Sequence, residues 1–422
     1  MGLSVSVESS SIAEIASWVV ERGLAGASET DLLDSFCARC REAGIRLSHG
    51  LVIIDTLHPT YEGRAFWWDL TQTNENRVVE YGPTNEGDAA AKWHRSSFYH
   101  LLQSGDQEFR ARISVGDGAD FTNLDRLRTE GHTDYLAFVH RFDREGSIGE
   151  MDTVYSHWTT THDDGFRDDE LDALRQLIPS LSLAAKCMSL VRVAGTLVEV
   201  YLGRDTGRRV LAGQISRGVA ERIHAVLWYS DLRDFTSISE AIPPEEIIPM
   251  LNEYAEAVIS SIQSEGGEVL KLMGDGVLAI FNAEVGTMAS RAALRAENAM
   301  RGKVDELNQR RSDEGKRVTS VYLGLYVGDV FYGNIGSEDR LDFTVIGPAV
   351  NEVCRIATMC RSAGQLTLTS TDIILSATKA DRPRLVSVGR FALRGVERPQ
   401  ELFTLDRYYP PDTGPGRAGL DS

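Results

Sequence analysis

Long hydrophobic runs are missing from this chain of 422 residues. No stretch approaches the ~20 apolar residues that a membrane-crossing helix needs. The first residues, MGLSVSVESSSIAEIASWVV, lack a basic n-region, so no signal peptide is read there. Cysteine is scarce and odd in number: Cys37, Cys40, Cys187, Cys354 and Cys360 make five. That excludes a disulfide scaffold and fits the reducing cytoplasm, the expected location. Cys37 and Cys40 form a CxxC, but no second CxxC completes a zinc site. Two readings of that pair stand, buried structural thiols and a redox switch. Positive charge is short as well: 44 Lys+Arg against 62 Asp+Glu leave a net charge of −18. Nucleic acid and anionic membrane are therefore disfavoured as partners. An anionic ligand would need a locally positive or metal-filled site. What is present is the composition of an ordinary globular chain, 42% hydrophobic and 25% charged. The length suits two or three domains.

Residues 1–190 read as helices, then strands, then a long exit helix. Ile12, Ile15 and Val19, then Leu32, Leu33, Phe36 and Cys40, recur at helical spacing. LSHGLVIIDTL, GRAFWWDL, FRARISV, DYLAFVHRFD and MDTVYSHWTTTH are strand candidates. Asn74 to Ala91 is polar and Gly-rich, so a loop is expected, and KWHRSSFYHLLQSG reads as a short helix. The exit helix carries Leu171, Leu174, Ile178 and Leu181 on one face. Trp67, Trp68, Trp93, Tyr99, Tyr135, Tyr155 and Trp158 either line a ligand pocket or fill the core, and core is the default. His94, His100, His132, His140 and His157 lack ligand spacing and are read as surface or core residues. Residues 191–222 carry Arg204, Arg208, Arg209 and Arg217, a positive patch that is either a solvated face or part of a transducing linker.

The densest signal lies between Ala225 and Phe281. AVLWYSD and VLKLMGD are strand-like runs that each stop at an aspartate, Asp231 and Asp275. Between them runs an amphipathic helix, opened by Pro243-Pro244 and closed by Gly266-Gly267. Two carboxylates at the ends of neighbouring strands offer oxygen ligands on rigid supports to a hard divalent cation. Either aspartate alone is an ordinary turn residue. The pair, with Lys271 four residues before Asp275, favours a metal and nucleotide site. The sharp turn into FTS after Asp231 can aim N–H groups at phosphate oxygens. Further on come a helix over Thr287–Arg311, strands VTSVYLGLYV and VFYGNI, a helix in GPAVNEVCRIATMCR, and strands QLTLTS, LVSVGRFAL and ELFTLD. This βαββαβ order predicts an α+β layer with helices on one face of a largely antiparallel sheet. The tail from Pro410 has the composition of a disordered segment.

Three blocks, SDLRDFTSISE, EVLKLMGDGVLAIF and DFTVIGPAVNEVCRI, resemble the catalytic domain of class III adenylate/guanylate cyclases in order and spacing, over Ile223 to Asp406. The resemblance implies a ferredoxin-like cyclase domain at 223–408, a linker at 191–222 and a tail at 409–422. Residues 1–190 resemble a GAF or PAS-like sensor, which would answer to an unidentified small-molecule or protein regulator. By the same resemblance Asp231, Asp275 and the Leu232 carbonyl hold two divalent cations, Mg or Mn. Phe235 and Thr236 offer backbone N–H groups to the terminal phosphates. Many relatives have Gly where this chain has Asp234; its carboxylate is expected to face solvent.

Lys271 and Thr344 are the base-recognition pair of the subclass called IIIb. A lysine donates to adenine N1, an acceptor, whereas guanine N1 carries a proton, so Lys271 implies ATP. Asn351 and Arg355 lie four apart on one helix face, and the resemblance implies that they orient the ribose and stabilise transition-state charge. Arg394 matches a basic residue that binds terminal phosphates, and Tyr322 stands where the family has another phosphate-binding arginine. In the family the metal aspartates come from one chain and the base, ribose and phosphate groups from the other, which implies a symmetric homodimer. The leading expectation is an adenylate cyclase. Guanylate cyclase is the alternative that Lys271 argues against; a non-catalytic nucleotide-binding signalling protein is the one that the complete residue set argues against.

Overall fold

The computed structural model describes residues 7–71, 77–118, 120–142, 149, 151–282, 287–393 and 399–406. The chain divides into two compact units, Met1–Leu197 and Val198–Ser422.

The first unit opens with two helices, α1 (Ser9–Leu24) and α2 (Glu29–Glu42). Strands β1 (His49–Asp55), β2 (Gly63–Asp69) and β3 (Val78–Tyr81) follow, then α3 (Gly87–His94), α4 (Ser97–Ser104), β4 (Glu108–Ala111) and α5 (Thr122–Thr129). Strands β5 (Asp134–Arg141) and β6 (Thr153–Thr160) lead into the long helix α6 (Asp168–Leu202). The six strands form one antiparallel sheet in the order β3-β2-β1-β6-β5-β4. Alternation along the strands gives the sheet two apolar faces. Val52, Phe66, Leu136 and Trp158 meet Val19, Phe36, Leu174 and Ile178 from α1, α2 and α6. Tyr135, Ala137 and Tyr155 meet Phe98, Leu101, Leu124 and Leu127 from α4 and α5. Trp68, Tyr135, Tyr155 and Trp158 are thus core residues. Cys37 and Cys40 are buried on α2, and burial pushes both thiols far above their ordinary range, the state of inert structural thiols.

Three expectations need correction. The segment from Asn74 to Ala91 is no plain loop: it holds β3 and the start of α3. Helix α5 was not foreseen, because TNLDRLRT has only Leu124 and Leu127 to bury. Helix α6 is long and apolar enough, by length and composition alone, to cross a membrane. Its apolar face, Leu171, Leu174, Leu177, Ile178 and Leu181, is buried in the core of the first unit. Glu170, in its first turn and fully buried, binds Arg46 Nη2 at 2.6 Å.

The second unit begins with α7 (Arg204–Leu211) and the central strand β7 (Ala220–Leu232), followed by α8 (Phe235–Ala241) and α9 (Pro244–Ser264). The hairpin β8 (Glu268–Met273) and β9 (Gly276–Asn282) precedes α10 (Thr287–Asp313), β10 (Val321–Gly336), β11 (Leu341–Ile346) and α11 (Pro348–Ala363). Then come β12 (Thr367–Ser370), α12 (Thr371–Ser376), a 3-10 turn at Arg382–Arg384, β13 (Leu385–Phe391) and β14 (Gln400–Leu405). The sheet order is β13-β14-β12-β10-β7-β9-β8, with β11 against β10; only β10–β12 is parallel. The βαββαβ order is as expected, but the helices cover both faces. Val226 and Trp228 of β7 pack under α9 and α10. Ala225 and Leu227, pointing the other way, pack under Ala349 and Val353 of α11. Strand β7 carries large apolar residues on both sides of its pleat, so neither face can be left to water.

Three histidines of the first unit lie close together: the ring centroids of His49 and His157 are 5.3 Å apart, those of His49 and His132 6.1 Å. His132 Nδ1 meets Thr159 Oγ1 at 2.9 Å, but neither ring nitrogen of the fully buried His157 has a partner among the described residues. Burial lowers all three pKa values, that of His49 to about 4. The unfolded chain therefore takes up protons that the folded one refuses, so stability present above pH 6.5 is lost as pH falls toward 4. Replacing His157 by Phe removes the least satisfied of the three rings. Thermal melts at pH 7.5 and 5.0 should show His157→Phe no less stable than wild type at the higher pH, with an acid-induced loss smaller by about 1 kcal/mol or more. An equal loss in both proteins would refute this account of His157.

Candidate active site

The pairing of β7 with β9, Ser230 opposite Val277, sets Asp231 beside the turn that carries Asp275. That turn is tight: Gly274 has φ +65°, and a Cβ on Gly276 would lie 2.8 Å from Tyr229 Oη. The Leu232 N–H donates to Asp275 Oδ2 at 3.3 Å. Burial, then a hydrogen bond to Asp275 and its charge, push the Asp231 carboxyl up to about 7. A carboxyl pair in this state fits a cation: a divalent ion between the two would neutralise both charges and release the shared proton. Among the described residues no group of three or more His, Cys, Asp or Glu side chains is placed to hold a metal.

Asp231, Leu232 and Asp275 open into a cavity of about 160 Å³, shared with Ile248, Leu251, Asn252 and Tyr254 of α9. Ile248 remains 61% exposed there, a break in the buried stripe of α9. Tyr254 is held by two hydrogen bonds, to Asn308 Oδ1 at 2.5 Å and from the Thr319 N–H at 2.9 Å. Asn252 and Tyr254 were not foreseen as site residues.

Phe235 and Thr236 form the first turn of α8, directly after Asp234. Asp234 has φ +56°, the one non-glycine residue with positive φ among the described residues. A glycine adopts that turn without strain, and Asp is among the few other residues that do. Its carboxylate is partly exposed, but it does not simply face solvent. It pairs with Arg361 Nη2 at 3.2 Å and with Arg233 Nε at 3.4 Å.

Lys271 and Thr344 lie on β8 and β11, which are not hydrogen-bonded neighbours in the sheet. What joins them is Asp342, whose Oδ2 binds Lys271 Nζ. Asp342 and Thr344 are two apart on β11 and so share a strand face. Asp342 escaped the sequence reading, although that i,i+2 spacing from Thr344 was there to be seen. Leu272 lines the acidic cavity, so Lys271 beside it points to the other face of the hairpin. Asn351 is exposed and Arg355 half-buried on α11, on the sheet face opposite α9 and α10, and neither has a hydrogen-bond partner among the described residues. Tyr322 stands opposite Asp231 in the β7–β10 register. Arg394 lies outside the described residues. The structure thus gathers Asp231, Leu232 and Asp275 with the start of α8 behind them. It gathers Lys271 with β11 separately and does not join the two sets within one chain.

Residues 220–407 match the family model of the adenylate and guanylate cyclase catalytic domain. "Adenylate cyclase 1" of Rhizobium meliloti is 26% identical over 199 residues, covering 47% of this chain and 30% of that protein. An "Adenylate cyclase" of Anabaena cylindrica is 33% identical over 150 residues, covering 36% of this chain and 30% of that protein. The chain thus spans under a third of the length of these curated relatives. Among solved structures, the adenylyl cyclase CyaB of P. aeruginosa aligns at 25% identity and a TM-score of 0.41, over 44% of this chain and 95% of that one. Over residues 220–407, a little under half of the chain, the sequence is thus similar to adenylate and guanylate cyclase catalytic domains.

Proposed function

We propose that the second unit converts ATP to 3′,5′-cyclic AMP and pyrophosphate at sites completed by a second copy of the chain. The carrying observation is the carboxyl pair Asp231–Asp275, fixed by two central strands and short of a counter-charge. The relatives' names support the reaction class, and Lys271 supports adenine over guanine by hydrogen-bond polarity.

In this reading Asp231 and Asp275, with the Leu232 carbonyl, hold divalent cations. Bound there, two such ions supply Lewis acidity that eases ionisation of the ribose 3′-hydroxyl and balances triphosphate charge. The Phe235 and Thr236 N–H groups take the terminal phosphates, joined by Arg394. Lys271, aimed by Asp342, donates to adenine N1, and Thr344 flanks it. Asn351 orients the ribose, and the planar Arg355 guanidinium meets negative charge growing on the α-phosphate. The first unit contributes none of these residues and is the regulatory part.

A second copy is needed for two reasons. The cavity of about 160 Å³ at the carboxyl pair is smaller than the ~300–1,000 Å³ usual for small-molecule sites. The base and ribose groups of the same chain lie elsewhere. A two-fold homodimer brings one chain's carboxyl pair to its partner's Lys271, Thr344, Asn351 and Arg355.

Four outcomes are expected. Asp231→Asn and Asp275→Asn should each lower kcat more than about tenfold, a loss above ~1.4 kcal/mol, in an assay with Mn²⁺ and ATP. Because Asp231 must shed its proton to bind a cation, the rise in Tm on adding Mn²⁺ should grow from pH 6 to pH 8 in wild type and stay flat in Asp231→Asn. Retained turnover, or an unchanged Mn²⁺ effect, would rule out the carboxyl pair as the metal site. Lys271→Glu should lower ATP use more than GTP use, and equal losses would show that Lys271 does not read the base. Finally, Asp231→Ala and Asn351→Ala should each be nearly inactive alone. Mixed one to one with free exchange, half of the dimers carry one whole site, so activity should recover to about a quarter of wild type. No recovery in a sample shown by tags to contain heterodimers would place both residues of a site on one chain.

A further inference from the structure

The second unit holds another cavity, of about 340 Å³, that shares no lining residue with the acidic one. It lies among α10, β12, β14 and the 3-10 turn at Arg382–Arg384. Arg384 lines it and is only 6% exposed. Its Nε has no hydrogen-bond partner, and its side chain stands in no ion pair among the described residues. Three of the neighbouring charged groups, Glu297, Arg301 and Asp381, are engaged elsewhere. Glu297 pairs with Arg301 Nε at 2.9 Å and accepts from Thr367 Oγ1 at 2.7 Å. Arg301 also donates to the Leu366 carbonyl at 3.0 Å and to Thr367 Oγ1 at 2.8 Å. Asp381, three residues before Arg384, accepts from Thr378 Oγ1 at 2.6 Å. A guanidinium N–H enclosed with no acceptor is unfavourable. An anionic group seated in the cavity would remove that cost.

The remaining lining limits what the anion can be. Asp305, exposed, and Asp406, half-buried, line the same cavity, so a compact dianion such as phosphate would meet repulsion on one side. Asn298, Gln365 and Thr404 add neutral polar groups, and Val304, Leu366 and Leu405 add apolar surface. We propose that this cavity binds a small zwitterion, an α-amino acid or a close analogue, with its carboxylate on Arg384 and its ammonium toward Asp305 and Asp406. The planar fork of arginine suits a carboxylate, and the volume suits a ligand of that size.

The cavity has a route to the acidic pair. Ser320 lines it, and the Ser320 carbonyl accepts the Arg233 N–H at 2.8 Å. Thr319 Oγ1 donates to the Arg233 carbonyl at 2.6 Å. Arg233 directly follows Asp231-Leu232, so a ligand against Ser320 bears on the loop that holds the carboxyl pair. That coupling rests on the proposed metal role of Asp231; the binding itself does not.

The test is calorimetric titration of the full chain, without metal or nucleotide, with each common L-α-amino acid and with acetate and inorganic phosphate at matched ionic strength. At least one amino acid should bind, and acetate and phosphate should bind about tenfold more weakly or worse. Affinity should fall about tenfold or more in Arg384→Gln and in Asp305→Asn, and less in Arg384→Lys, which keeps the charge. Asp305 is exposed, so its variant reports on the site even if Arg384→Gln fails to fold. Absence of binding by any amino acid, binding untouched in Asp305→Asn and Arg384→Lys alike, or phosphate binding as tightly as the amino acid would each overturn the proposal.

Discussion

Two carboxyl groups held within hydrogen-bonding reach repel once both are ionised, and a chain free to move would part them. Here it cannot. Asp231 ends the central strand β7, Asp275 sits in a two-glycine turn, and the β7–β9 ladder locks one beside the other. Much of the second unit serves that constraint. Trp228 is fully buried beneath α9 and α10, and Leu227 is fully buried on the opposite face under α11. Repulsion between the two carboxylates is thereby set against the packing of an entire layered sheet. The raised pKa of Asp231, about 7, is the trace of this arrangement in the absence of a counter-charge.

The same logic bears on the cationic groups proposed to bind the nucleotide. Groups of opposite sign placed on one chain find each other, as Lys271 and Asp342 do. Had Lys271 or Arg355 lain beside the carboxyl pair, an internal ion pair would have filled the site. Because neither pairs with Asp231 or Asp275, the acidic cavity is left without a cationic partner among the described residues.

Much of this was legible in the chain itself. Periodicity and turn residues located β7, α9, the β8–β9 hairpin and α10, because strong alternation and paired Pro or Gly mark their limits. The aspartates announced themselves by ending apolar runs. Other features were not decided by local pattern. Apolar residues at consecutive positions of β7 do not say which side is covered, so the second helical layer was missed. Asp342 matters through a contact seventy-one positions away in sequence. Arg384 was invisible for a different reason: an arginine in a polar stretch reads as surface, and only the fold shows that it is enclosed. In the first unit, His157 reads as one histidine among nine until the sheet places it under α4 beside His49.

Asp234 carries a lesson about tolerance to change. By exposure it belongs with positions that drift freely, since its side chain is partly in water and holds only surface partners. Its backbone says otherwise. At φ +56° the peptide takes a mirror-handed turn that disfavours branched or bulky side chains. Substitution there is filtered by chirality rather than by charge or size, and the permitted set is short: glycine, asparagine and aspartate. Among these, only aspartate gives Arg361 an ionic partner, so the choice at this turn also decides how firmly the end of α11 is tethered to the loop before α8.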